Sequence, residues 1–473
     1  MGKSVFGIIV GTRGFFNPKL AFEGRRQIMN RLDELGFSYV ILSEGDTPYG
    51  CVETLEHAKK CAGLFRQNAG KINGIIISLP NFGDEIGATE SVKLSGLNVP
   101  LLVHAFDDEL GCMDLAHRRD AFCGKLSVCN NLYQYGIPFT DTAFHTSSVD
   151  SKTFECDINR FDRICRVFNG IKGCRVSQLG VRPGAFKTVR YSEKLLERNG
   201  ITVVPADMSE LFALAESITD EKLISNTIAE IKEYGRVDCT GFDCDVPRSL
   251  EKTARFTIAV SQWMKENECV AGCIQCWDSI EKNYNCAACL TMSMLGEKGI
   301  PFACETDVQG AIAMYALYLA SDNPPGYLDW NNSYGEDRNM CINFHCSNYP
   351  KSFFGTEPTI SCLDILGASL GYHNCFGALK AQVRGGNFTY SNIKTNDFKG
   401  EIEMYTGEGV FVDEPVNTVG SPAVCKIPDL QSLMKYLCKN GFSHHVAMNR
   451  GNHADVIEEV FGNYFGWKVY KHI

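Results

Sequence analysis

Between Ser4 and Ala105, short apolar runs alternate with stretches of helical periodicity, and this alternation constrains the fold more than any other feature of the chain. Ser4–Val10, Tyr39–Ser43, Asn73–Pro80 and Val99–Ala105 read as strands; Pro18–Leu35 and Val52–Asn68 read as helices. Runs such as Gly74-Ile75-Ile76-Ile77 are apolar at every position, so both faces of the strand must be covered. Strands buried on both faces and separated by helices form a parallel, doubly wound sheet. Ligands of such sheets gather at the carboxyl ends of the strands. That edge contains Gly11-Thr12-Arg13-Gly14, where Arg13 alone reads as an ordinary loop arginine. The sequence contains neither GxGxxG nor a phosphate-binding loop motif.

The pattern restarts near Gly173. Arg175–Val181, Ile201–Pro205, Val270–Gln275 and Ile300–Cys304 read as strands. Thr188–Arg198, Leu211–Ser217, Asp220–Glu233, Leu250–Asn267 and Asn283–Gly296 read as helices. This second α/β region delivers Gln275 and Glu305 to one sheet edge. After about residue 325, Gly, Asn, Ser, Thr and Tyr rise and helical periodicity fades. The expected class is therefore α/β: two doubly wound parallel-sheet domains, 1–171 and 172–325, followed by a mainly β domain, 326–473. A length of 473 residues, too great for one ordinary core, agrees with several domains.

Chemistry concentrates between Ile300 and His345. A short apolar strand ends at Glu305, and Asp307 is placed to cap a helix that is apolar all round from Ala311 to Ala320. Asn323-Pro324-Pro325-Gly326 turns the chain into a run carrying Asp329, and Asn343-Phe344-His345 adds an imidazole. Two carboxylates and a histidine at the ends of consecutive elements can build an oxygen/nitrogen metal site, suited to Mn or Mg, with zinc possible. His444, His445 and His453 can return to the same place. Each residue has a plainer reading: Glu305 favouring a helix dipole, Asp329 in a turn, each histidine a hydrogen-bonded structural one.

The net charge of −10, with the acids dispersed, argues against a nucleic-acid surface. No apolar run reaches the length needed to span a bilayer. The amino terminus enters a strand at once, without a signal-peptide apolar segment, which leads to an expectation of a reducing cytoplasm. The 22 cysteines then read as mostly free thiols. Cys273/Cys276 and Cys286/Cys289 approximate a zinc-ribbon spacing, but lie in apolar strand-end and mid-helix contexts that favour small buried cysteines.

The layout, with CETDVQGA, YLDW, FHCSNYP and HHVAMNRGNHADVIEE, resembles the L-fucose isomerase and L-arabinose isomerase family. The resemblance implies an aldose–ketose isomerase acting on an open-chain sugar with Mn2+ or another divalent cation. It implies Glu305 and Asp329 as metal ligands and acid/base pair, about two dozen residues apart as in the family. His345 and His445 complete the implied ligand set, with His444, His445 and His453 all eligible as the late histidine. It further implies substrate contacts from Arg13, Gln275, Trp277, Trp330, His444 and His453. An ene-diol proton transfer is expected, a hydride shift being the alternative. The family implies a homo-oligomer, trimer or hexamer, with sites at subunit interfaces and Arg13 acting across one.

Two other readings stand beside this one. The substrate is a modified anionic hexose such as sulfoquinovose, its tail met by residues such as Arg13, Arg182, Arg338 or Arg450. Or the protein is a non-catalytic sugar-binding protein, since the two α/β regions resemble the halves of a periplasmic binding protein; the acid pair weighs against that.

Overall fold

The computed structural model describes residues 2–345 and 348–473, so Cys346 and Ser347 of the FHCSNYP motif lie outside the described residues. The chain divides into two compact units, residues 1–169 with 459–466, and residues 170–458 with 467–473.

The first unit is an α/β sheet. Its strands are β1 (Val5–Val10), β2 (Ser38–Ile41), β3 (Gly74–Leu79), β4 (Leu101–Ala105) and β5 (Thr140–Asp141). They run parallel in the order β2-β1-β3-β4-β5. β3 and β4 are buried at every position, and the one polar side chain of each, Ser78 and His104, pair with one another at 3.1 Å. The helix Pro18–Glu34 starts where sequence predicts, with Asn17 accepting from Lys19 N and proline at its first turn. Glu85–Ser95 and Ala121–Gln134 are helices the periodicity did not reveal; their amphipathic character is weak because both faces carry small or polar residues. Tyr464 returns to this unit, its hydroxyl donating to Leu101 O at 3.0 Å.

Among the described residues, the second unit contains three sheets. Its strands are β6 (Arg175–Leu179), β7 (Thr202–Ala206), β8 (Arg236–Val237), β9 (Ala271–Ile274), β10 (Phe302–Ala303), β11 (Gly326–Tyr334), β12 (Asp337–His345), β13 (Thr359–Cys362), β14 (Phe376–Lys380), β15 (Gly386–Asn396), β16 (Glu401–Val412), β17 (Ser421–Lys426), β18 (His445–Arg450) and β19 (Lys468–Lys471). A parallel sheet has the order β10-β9-β6-β7 and a small one the order β14-β13-β8. The largest runs β15-β18-β11-β12-β17-β16-β19, and β15 also pairs with β16. That extra pairing closes β15, β18, β11, β12, β17 and β16 into an antiparallel ring, which removes exposed sheet edges. Phe388, Tyr390, Tyr405 and Phe411 fill its core. The mixed α/β class with a mainly β carboxyl-terminal part is therefore present.

The helix Val308–Ser321 packs against β9 as well as β15 and β18. Being contacted on several sides, it has no solvent face, which is why its sequence is apolar all round. The expected continuous helix from Asn283 to Gly296 is instead two, Ser279–Tyr284 and Cys289–Glu297. Asn285 turns left-handed (φ 64°) and Ala287 N donates to Phe376 O of β14, so the backbone bonds sideways to a strand. Cys286 therefore lies in a helix break and Cys289 starts the next helix, rather than both lying in mid-helix; these two, Cys273 and Cys276 are buried and in no disulfide. Among the described residues, no helix is long and apolar enough to cross a membrane.

Candidate active site

Four chain segments of the second unit meet at one cleft. Glu305 follows β10, Asp329 lies on β11, His345 ends β12 and His445 begins β18. The antiparallel register sets Asp329 directly opposite His445 across β11–β18, so their side chains leave the same face. Glu305 and Thr306 are both left-handed, with φ of 58° and 60°, an uncommon pairing for residues with side chains. Such strain collects at functional sites. Here it aims the Glu305 carboxylate at the strand-borne histidines.

The contacts are short. Glu305 Oε2 accepts from His445 Nε2 at 2.8 Å, and Glu305 Oε1 accepts from Trp277 Nε1 at 2.8 Å. His345 Nε2 lies 3.6 Å from Glu305 Oε1. His445 Nδ1 donates to Asp307 Oδ2 at 2.8 Å. Both ring nitrogens of His445 face carboxylates, an arrangement that favours the imidazolium, and a metal ligated at Nε2 would take the place of that proton. Burial disfavours that charge, but the hydrogen bonds to Asp307 and Glu305 outweigh it and push His445 up to about 10. Burial likewise opposes ionisation of Glu305, yet His345 and His445 hold its carboxyl well below the usual carboxylate range. The half-exposed His444 is shifted down, by burial and then by the charge of His445.

Two overlapping groups have potential ligand atoms within 4.8 Å of one another: Asp329, His345 and His445; and Glu305, His444 and His445. Asp329 Oδ1 is buried and has no hydrogen-bond partner among the described residues, with His445 Nε2 3.6 Å away. A divalent cation fits this arrangement, because it would supply Asp329 Oδ1 with the partner it lacks. Carboxylate oxygens with imidazole nitrogens suit Mn, Mg or Zn. The cleft encloses about 320 Å³, inside the range of small-molecule sites. Trp277, Asn331, Phe344, Asp364 and Ile365 line it together with Glu305, Asp329 and His345.

The other residues singled out by sequence fall in several places. Trp277 reaches the cleft and also anchors Glu305. Trp330 does not line it. Successive strand residues point to opposite faces, so Trp330, next to Asp329, turns into the barrel, where its Nε1 donates to Tyr405 at 3.1 Å. His453 lies past β18, with its N–H on Thr389 Oγ1, and joins neither ligand group. Gln275 follows β9 and accepts from Val181 N at 3.2 Å. Arg13 belongs to the first unit, 3.3 Å from Asp84 and stacked over Phe82 at 4.4 Å.

Asp307 carries more than the helix cap expected of it. Its Oδ1 accepts from Gly310 N, while its Oδ2 accepts from both Tyr327 and His445. A carboxylate behind a metal-binding histidine fixes the ring's orientation and tautomer. Only the cap was readable, because Tyr327 and His445 arrive from strands distant in sequence.

Residues 7–172 match the family model for the fucose/sulfoquinovose isomerase N-terminal domain, and residues 343–472 match that for the L-fucose isomerase C-terminal domain. The chain belongs to the L-fucose isomerase family. This is a family of sugar aldose–ketose isomerases. The sulfoquinovose isomerase of Alkalicoccus urumqiensis is 25% identical over 312 residues, 64% of this chain and 66% of that protein, just under two thirds of its length. The sulfoquinovose isomerase of Priestia aryabhattai is 25% identical over 345 residues, 72% of this chain and 74% of that one. Among solved structures, a periplasmic solute-binding protein from Actinobacillus succinogenes 130z with bound D-allose aligns with 68% of this chain and 92% of its own, at 12% identity. Its TM-score of 0.16 is too low to support an argument.

Proposed function

We propose that the protein interconverts an open-chain aldose and its ketose at a divalent metal held by Glu305, Asp329, His345 and His445, with Mn2+ the favoured ion. The observation that carries this reading is that these donors fall in two overlapping triads sharing His445, Asp329/His345/His445 and Glu305/His444/His445, each with its ligand atoms within 4.8 Å of one another, at a cleft of sugar size. His444 is an accessory contact, 3.9 Å from Asp329 Oδ1 and 44% exposed.

When bound, the ion supplies Lewis acidity toward the sugar's O1 and O2. The chain's own groups handle the protons. In the ene-diol route, a carboxylate removes the C2 proton and returns it to C1, while the hydroxyl proton moves from O2 to O1. Glu305 already accepts from Trp277 and His445 on its two oxygens, which suits it to holding the ion and to the hydroxyl proton. Asp329 would meet the ion through the unpartnered Oδ1, which leaves its other carboxylate oxygen for the carbon proton. Trp277 presents an indole to the cleft and forms part of the sugar's wall. Gln275 and Arg13 remain substrate contacts on the family resemblance alone, Arg13 from the next subunit of a trimer or hexamer.

A second reading concerns the substrate. The relatives are named for sulfoquinovose, and Arg182, Lys187, Arg190 and Lys394 line a basic recess that also includes Thr306, the residue after Glu305. An anionic hexose tail would find cations there.

An aldose panel assayed for ketose with and without Mn2+, including plain and sulfonated hexoses, tests both readings. Ketose formed only with the ion, and lost in Glu305→Gln, supports the activity. A sulfonated hexose turning over no faster than its plain counterpart removes the second reading. Turnover unaffected by chelator, or full activity in Glu305→Gln, removes the first.

A further inference from the structure

Away from the cleft, three cysteines converge from separate parts of the second unit. Cys239 and Cys244 lie between β8 and the helix Val246–Glu266, and Cys362 is the last residue of β13. β8 and β13 are parallel neighbours, with Val237 opposite Ile360. The ladder therefore delivers the chain after Val237 to the end of β13, where Cys362 stands. The three Sγ atoms lie within 4.8 Å of one another. Cys362 is buried, while Cys239 and Cys244 are half-buried and open the group to solvent on one side.

Three thiols at one point are more than a disulfide can use, because a third sulfur has no place in the bond. They match the geometry of thiolate metal ligation. A Zn–S distance of ~2.3 Å in a tetrahedral site sets sulfurs roughly 3.8 Å apart, so these three, all within 4.8 Å, reach it by closing at most about 1 Å.

We propose that Cys239, Cys244 and Cys362 form a second metal site, for a thiophilic cation such as Zn2+, with the fourth position left to a small ligand. The ion ties the segment before the helix Val246–Glu266 to the end of β13. The residues that follow Cys362, Leu363 to Ile365, line the cleft. The site thus fixes one wall of the proposed sugar pocket from behind. That role rests on the proposed function, whereas the ion site itself does not.

The test is spectroscopic and independent of catalysis. Reduced, chelator-treated full-length protein is titrated with Co2+ and followed in the near ultraviolet for thiolate-to-cobalt charge transfer, which oxygen and nitrogen ligands at the cleft do not give. The expected result is a band saturating by two equivalents per chain, one for each cation site, displaced by Zn2+, retained in Glu305→Gln and lost in Cys239→Ser. Because Cys362 is buried and its replacement can disturb folding, the half-buried Cys239 variant and the wild-type titration carry the decision. Absence of the band, its persistence in Cys239→Ser, or isolation of the native protein with two of the three cysteines in a disulfide would overturn the proposal.

Discussion

His445 Nδ1 donates to Asp307 Oδ2 at 2.8 Å, while Asp307 Oδ1 caps the helix Val308–Ser321. One carboxylate thus starts the helix and aims the Nε2 of His445 at the cleft. Asp307→Asn separates the two duties, because asparagine caps helices as well as aspartate does. The variant is expected to keep its helix, to melt lower because the buried His445 loses one of its two carboxylates, and to bind Mn2+ about 10–100-fold more weakly. Calorimetric titration with Mn2+ beside circular dichroism measures both. Unchanged affinity would mean that Asp307 serves the helix alone.

Trp277 links the cleft wall to Glu305 through its indole N–H. Trp277→Phe keeps the packing against Leu363 and Leu366 and removes only the donor. A hydrogen bond to a charged group contributes roughly 1.5–3 kcal/mol, so kcat/KM should fall about 10–100-fold at saturating metal. Steady-state kinetics decides, and a change confined to KM would place Trp277 against the sugar only.

Trp330 bonds to Tyr405 inside the barrel. Because Trp330 is half-buried, Trp330→Ala should cost less than the about 3–5 kcal/mol of a full core truncation and leave the KM of the folded enzyme near wild type. Thermal melting and KM measured together distinguish this from a sugar platform, for which KM would rise while stability held.

Glu281 is fully buried, and neither carboxylate oxygen has a hydrogen-bond partner among the described residues. Burial pushes its carboxyl up to about 8. A carboxyl that holds its proton more tightly when folded makes the fold lose stability as pH rises from the unfolded value, near 4.5, to about 8. The loss is on the order of 3–5 kcal/mol. Glu281→Gln removes the charge, so denaturant unfolding at about pH 5 and about pH 9 should show a smaller drop for the variant than for wild type. Equal drops in the two proteins would show that Glu281 is not the group responsible.

The parts of the fold that sequence exposes are those set by local pattern. β3, the helix Pro18–Glu34 and the all-apolar helix Val308–Ser321 follow from runs and periods, and Glu305 and Asp329 stand out as acids beside strand ends. What sequence hides depends on pairing between distant segments. Closure of the barrel needs β15 to meet both β16 and β18, and no local signal reports that. The choice among His444, His445 and His453 turns on register, since the residue opposite Asp329 is His445. Trp330 is different: its adjacency to Asp329 on a strand already implies opposite faces, once Gly326–Tyr334 is known to be a strand. The cluster at Cys239, Cys244 and Cys362 was invisible because Cys362 joins only through the β8–β13 ladder.

The central claim, a metal centre in which Asp329 takes part both in binding and in proton transfer, is tested most directly by measuring Mn2+ binding and Mn2+-dependent ketose formation in wild type and in Asp329→Asn. The account expects wild type to bind the ion and turn over an aldose, and Asp329→Asn, equally folded, to bind more weakly and to lose catalysis by at least ~100-fold, the low end of general-base contributions. Wild-type affinity together with wild-type turnover in Asp329→Asn would contradict it.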